Sequence, residues 1–314
     1  MGEIARAAAG GAVVLGHARF LAPGRWRWLR ALGWMVGLFL VVTAAFAIVA
    51  GGSLAAMMAA GGYPPVFGVP MHGPPFIFFA GMTLASLATL GAYSGLVKLA
   101  EARPATELAP ARAPAEIAAG LALGAAMMAV TVLLLWAGGW TVLSARPVTA
   151  IWSALGNSVE SGVVEETLFR LVVFRLVWRA FGIWAALAVS AALFGGLHLA
   201  NPNATPFAAL AIAIEAGVML AAFYILTGRL WVSIGVHAGW NFTQGWVFGA
   251  AVSGTGGFAG GPLSLTSTPG APPLLSGGAF GPEASLAGLL VGTAVGAAAL
   301  YRAYRNGRFA PADR

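Results

Sequence analysis

Residues 31–52 read ALGWMVGLFLVVTAAFAIVAGG, and none of these side chains is charged. The run extends further: from Ala31 to Val97 there is no Asp, Glu, Lys or Arg, and only YPPVFGVPMHGPP at 63–75 interrupts it. A helix needs roughly 20 mostly apolar residues to cross a bilayer, so this stretch predicts two spans, about 31–52 and 75–97. The composition agrees. Hydrophobic residues make up 59% and charged residues 9% of the 314, far from a water-soluble domain. The absence of cysteine excludes disulfides, thiolate metal sites and cysteine nucleophiles. The net charge of +7 is spread over single residues and forms no patch, which points away from nucleic acid as a partner.

The same rule places six further spans, at about 118–144, 151–174, 183–200, 206–227, 230–250 and 284–302. NPNATP at 201–206 divides the fifth from the sixth. SGTGGFAGGPLSLTSTPGAPPLLSGGAFGP at 253–282 is too broken by Gly and Pro to span. The fold class expected is all-α, a polytopic bundle of about eight transmembrane helices. Its parts are an interfacial N-terminal segment at 1–30, helices one to three at 31–145, a core of helices four to seven at 146–250, a Gly/Pro-rich loop at 251–283, and helix eight with its tail at 284–314.

Basic residues test the count, because they favour the cytoplasmic side. Arg6, Arg19, Arg25, Arg27, Arg30, Lys98, Arg103, Arg112, Arg175, Arg179, Arg229, Arg302, Arg305, Arg308 and Arg314 all fall on one side, and Arg146 alone falls in a loop opposite. Both termini are therefore expected in the cytoplasm. RFLAPGRWRWLR at 19–30 reads as an interfacial anchor, lacking the small-residue cleavage pattern of a signal peptide. No long-period internal repeat stands out.

A charge inside a span costs about 2.5–3.5 kcal/mol on insertion scales, so such residues are functional candidates. Span four carries Glu160, Glu165, Glu166 and Arg170; span five carries His198, span six Glu215, and span seven His237 with Asn241 one turn on. Glu166 and Arg170 have the spacing of an intrahelical ion pair, which leaves Glu165 to find a partner on another helix. Counting along the helices from the turn near Ala180–Gly182, Glu165 and His198 lie at nearly equal depth, so the two are expected to meet. His237 is nearer its own helix end, which requires the hairpin of spans four and five to project past the bilayer. Gly195 and Gly196 before His198, and Gly235 and Gly239 around His237, would let neighbouring backbones approach.

EETLFR at 165–170, FGGLH at 194–198 and HAGWN at 237–241, on spans four, five and seven, resemble the motif triplet of the CPBP intramembrane proteases. That family comprises the CAAX proteases and bacteriocin-processing enzymes and includes the type II CAAX prenyl endopeptidases. The resemblance covers about residues 150–250. It implies an intramembrane endopeptidase in which Glu165 is the general base on a water also held by His198, with His237 and Asn241 stabilising the oxyanion. Arg170 would neutralise Glu166, leaving one carboxylate free, and Phe194 would pack beside the site. Fixed donors of this kind suit a developing negative charge. No cofactor is then required. The alternative is zinc held by Glu165, His198 and His237. The H-E-x-x-H arrangement is absent, so such a site would have to be assembled across three helices.

Plainer readings stand beside these. Glu166 and Arg170 fit a structural pairing as well as a catalytic one, and Glu160 is ambiguous, about one turn outward of Glu165. Glu215 reads as a buried residue bonded to a neighbouring helix; His72 and His17 read as solvated or interfacial. Gly288, Gly292 and Gly296, and Gly120 with Gly124, read as packing faces. A proton-coupled transporter would use the same acids and histidines as a relay, but such proteins usually have two related halves, and spans one to three carry no counterpart. An idle membrane scaffold is disfavoured by the intact triplet. Sixteen arginines against one lysine, with abundant Ala and Gly, point to a bacterial inner membrane. The substrate class is then a peptide or membrane protein; the oligomeric state is not legible.

Overall fold

The computed structural model of the chain describes residues 11–60, 75–149 and 151–313. Eight helices dominate it: α1 Arg27–Ala59, α2 Pro75–Ala100, α3 Ala113–Ala137, α4 (152–181), α5 Ile183–Leu197, α6 Pro206–Thr227, α7 (231–247) and α8 Leu286–Arg305. Six are long and apolar enough to cross a membrane. The other two are α4, loaded with charge, and α7, which has 12 residues of α-helix followed by five of π-helix. Large apolar side chains such as Leu40 and Ile48 on α1, Leu87 on α2 and Leu133 on α3 point outward, as a lipid-facing surface requires.

Sequence punctuation sets the helix ends. Gly182 has φ 93° between α4 and α5, and Gly228 has φ 64° between α6 and α7, backbone states that an L side chain resists. Thr205 caps α6 by accepting from Ala208 N at 3.0 Å, and Ser285 caps α8 by accepting from Gly288 N at 3.1 Å. The third helix is shorter than the expected 118–144. It stops at Ala137, and Thr141–Ala145 forms a strand, β1, paired antiparallel with β2, Leu263–Ser267, with Leu143 opposite Leu265. Gly138 and Gly139 end the helix, and Thr141 and Val142 fill a strand more readily than a helix terminus. The Gly/Pro-rich loop therefore carries a strand of its own.

Helix α4 runs through the middle of the bundle, where Glu166, Thr167, Arg170, Leu171, Val172, Phe174, Arg175 and Leu176 are fully buried. Close glycine contacts set its neighbours. A Cβ added at Gly120 of α3 would lie 2.8 Å from Gly235 Cα of α7, and one at Gly292 of α8 would lie 2.9 Å from Glu215 Cα of α6. Gly195 approaches α6, 2.9 Å from its added Cβ to Ala213 N, whereas Gly196 meets nothing within 4 Å.

At one end of the bundle the first described residues, the α2–α3 connection, the α4–α5 turn and the C-terminal tail come together. Arg175 pairs with Glu101 at 2.7 Å, Arg103 pairs with Glu101 and with Glu107 at 2.8 Å each, and Tyr93 donates to Glu107. Burial alone would raise the Glu101 carboxyl, but Arg175 and Arg103 outweigh it and hold the group below the usual carboxylate range. Arg179 donates to Gly16 O and Leu21 O, and Asp313 accepts from Leu15 N and Gly16 N. Val13, Val14, Leu15 and Leu21 are buried, so this part of the N-terminal segment is folded into the protein body. It packs against both the α6–α7 turn, where Gly228 meets Gly11 and Ala12, and the end of α4, through Arg179.

Candidate active site

The opposite half of the bundle holds the polar cluster. Helix α4 changes register there, with π-helical turns at Ser161–Glu165 and Thr167–Phe174 on either side of Glu166. Similar turns occur at Ala213–Val218 on α6 and Thr243–Val247 on α7. Each lies beside a polar residue of the cluster, and such insertions into helices recur at functional sites.

The two adjacent glutamates have different partners. Glu166 Oε2 lies 2.9 Å from Arg170 Nε, and its Oε1 accepts from His237 Nδ1 at 3.1 Å. Arg170 also donates to Ala216 O at 3.1 Å and stacks over the Phe194 ring at 4.9 Å. Among the described residues the one ion pair of Glu165 is with His237, whose Nε2 is 4.0 Å from Glu165 Oε2; the Glu165 side chain is 31% exposed. Because the Nδ1 edge faces a carboxylate, the Nε2 edge of His237 is the one presented to Glu165.

His198 sits just past the end of α5, in the short turn His198–Ala200, and its Nδ1 lies 2.7 Å from Phe194 O. A carbonyl only accepts, so Nδ1 carries the hydrogen and a neutral ring offers its Nε2 lone pair. Phe194 is the common wall, with its ring centroid 5.0 Å from His198 and 6.1 Å from His237. Among the described residues no hydrogen bond or ion pair joins Glu165 to His198; Glu165 pairs with His237 instead. Equal depth along two helices fixes height but not the direction in which a side chain points.

Asn241 donates Nδ2 to Ser161 Oγ at 3.0 Å, which turns its amide and leaves the second N–H free. Ser161 is a site neighbour that the motif reading missed; a serine four residues before an acid carries no signal until the π register is known. Phe194, His198, His237 and Asn241 line a cavity of ≈ 30 Å³ together with Glu215, Ser253 and Glu283. A volume of that size holds water. Glu215 therefore reaches the site, with one carboxylate oxygen lacking a hydrogen-bond partner, and Gly292 of α8 packs against its backbone. Glu283, in the turn before α8, was not singled out in the sequence, lying beyond the motif region. It accepts from Ser253 N at 2.5 Å and from Gln244. Residues 248–285 cover this end, held by Asn201 Nδ2 to Ser253 O at 3.0 Å and Arg146 Nε to Gly261 O at 3.0 Å.

Among the described residues no three His, Asp or Glu side chains converge as a metal-binding group. His198 spends Nδ1 on Phe194 O, and the one ion pair within the set Glu165, His198 and His237 is that between Glu165 and His237. His17 is half-exposed, 3.7 Å from Asp313, far from the site; His72 lies outside the described residues.

Residues 147–243 match the family model described as type II CAAX prenyl endopeptidase, Rce1-like. The matched segment runs from just before α4 into α7 and contains all three motifs, so the resemblance read from them is the one the family comparison finds. It points to a protease embedded in a membrane. No curated protein and no solved structure matches the chain.

Proposed function

We propose that the protein is an intramembrane endopeptidase that hydrolyses a peptide bond of a peptide or membrane-associated protein, with Glu165 as the general base. The observation that carries this reading is the division of labour between the two glutamates. Glu166 is neutralised by Arg170 and spends its other oxygen on His237, whereas the one ion pair of Glu165 among the described residues is with the Nε2 edge of that ring. A carboxylate free of a cationic clamp is the one able to take a proton.

In the proposed step a water beside Glu165 gives up a proton to it and attacks the carbonyl carbon, with His198 Nε2 as a second acceptor for that water. The oxyanion that forms meets the second N–H of Asn241 and His237, which in this step is the imidazolium, with Nδ1–H on Glu166 and Nε2–H left for the oxyanion. Both donors are preorganised, His237 by Glu166 and Asn241 by Ser161. Arg170 and Phe194 hold this arrangement in place: Arg170 bonds Glu166 and lies over the Phe194 ring, and that ring stands against both histidines. The proposed step uses protein groups alone. We place the protein in a bacterial cytoplasmic membrane with both termini inside, from the arginine-rich ends of the bundle.

The test is capture. Glu165→Gln keeps the shape and hydrogen bonding of the side chain and removes the base. Expressed in native membranes, this variant should retain a polypeptide that the wild type releases in two pieces. Release of the same two pieces by the variant would overturn the assignment.

A further inference from the structure

A second cavity, of ≈ 470 Å³, opens between α1, α2 and the start of α4. Its walls are apolar, formed by Phe46, Leu54 and Met57 of α1 and Phe78 and Met82 of α2. Three polar side chains also line it. Ser53 donates its hydroxyl to Val49 O at 2.8 Å, and Asn157 donates its amide to Gly257 O at 2.9 Å. The third, Glu160, has neither a hydrogen bond nor an ion pair among the described residues.

The register of α4 brings this acid to the site. In an α-helix, residues five apart point about 140° away from each other. Glu160 and Glu165 bound the π-helical turn Ser161–Glu165, whose i to i+5 repeat stacks them on one face. No charged side chain other than Glu160 lines the cavity among the described residues.

An unpaired acid at the end of an apolar cavity inside a bundle is costly to ionise unless a cation pairs with it. A lipid tail or an apolar side chain would fill the walls and leave the acid unpaired. A lysine or arginine side chain meets both demands, with an apolar stem and a cationic head. The distance from Glu160 to Glu165, one helical turn, is also within the reach of such a stem. We propose that this cavity is the specificity pocket of the enzyme, taking the side chain of a lysine or arginine next to the bond that is cut, with Glu160 as its counter-ion. The proposal rests on the protease reading of the adjacent site.

The test uses the full-length protein in liposomes and quenched-fluorescent peptides that differ at one position, carrying lysine, arginine, norleucine or glutamate. The wild type should favour lysine and arginine over norleucine by about 30-fold or more in kcat/KM, the scale of a desolvated charge pair. Glu160→Gln should collapse that ratio, and Glu160→Lys should turn the preference toward glutamate. Equal rates on lysine and norleucine peptides in the wild type, or an unchanged ratio in Glu160→Gln, would overturn the pocket and leave the protease reading standing. Binding of the same peptides to Glu165→Gln, followed by fluorescence anisotropy, separates the two ideas. Lysine-selective binding that disappears when Glu160→Gln is added, without cleavage by the wild type, would sink the protease reading and keep the pocket. Binding without selectivity overturns the pocket.

Discussion

His237 Nε2 stands 4.0 Å from Glu165 Oε2 while the other ring nitrogen is held by Glu166 at 3.1 Å. One imidazole thus separates two acids that are adjacent in sequence. In the proposed mechanism Glu166 is part of the scaffold, and Glu165 keeps its lone pairs for chemistry.

The scaffold half of this arrangement predicts strong coupling between Glu166 and Arg170, both fully buried and 2.9 Å apart. Removing one partner of such a pair costs about 3–5 kcal/mol, whereas replacing both with apolar groups of similar size is often tolerated. Arg170→Ala should lower the unfolding midpoint in detergent sharply, and Glu166→Gln with Arg170→Met should lower it less. Losses that simply add in the double variant would show that the two groups do not support each other.

Gly195 and Gly196 offer a matched pair three and two residues before His198. A Cβ at Gly195 would press on Ala213 N of α6 from 2.9 Å, and one at Gly196 meets open space. Gly195→Ala should push α5 from α6 and reduce both stability and turnover, by about 1–3 kcal/mol in unfolding free energy. Gly196→Ala should match the wild type in both measurements. Equal behaviour of the two variants would contradict the packing described.

These residues also show what the sequence could and could not reveal. Charge-free runs such as 31–52 announce spanning helices because a bilayer leaves the backbone no other partner than itself. The spacing of Glu166 and Arg170 announces their pairing for an equally local reason. The π-helical turns are different. They depend on hydrogen bonds from i to i+5 that only the packed bundle selects, so neither Ser161 under Asn241 nor the shared face of Glu160 and Glu165 was legible. The strand Thr141–Ala145 looked like the end of a span because its partner, Leu263–Ser267, lies far downstream. Glu215 and Glu283 meet the same cavity for a like reason: Gly292 and Gly296 bring α8 against α6, and Gly288 packs against Glu283 in the turn before α8.

Glu283 predicts a pH dependence. Burial raises its carboxyl to about 8, against the opposing hydrogen bonds from the Ser253 backbone and Gln244. The group is thus neutral in the folded protein at a pH where the unfolded chain, with an ordinary carboxylate, is already ionised. Its contribution is full below the unfolded value and is lost as pH rises toward about 8. Unfolding temperatures of the wild type should fall across that window, and Glu283→Gln should flatten the fall. An identical pH profile in the variant would remove Glu283 as the cause.

The topology makes its own prediction. Reporter fusions after Gly256 and after Arg308 should report opposite sides of the membrane, the second one cytoplasmic. Signals from the same side would refute the assignment of the basic end.

Turnover by Glu165→Gln, measured beside the metal content of active wild-type protein, tests the central claim most directly. Purified wild type should cleave without a stoichiometric metal and keep its rate in a chelator, while Glu165→Gln should fold, bind peptide and lose turnover by at least roughly a hundredfold, the contribution of a general base. Full activity of Glu165→Gln, or activity lost to the chelator and restored by zinc, would contradict the account.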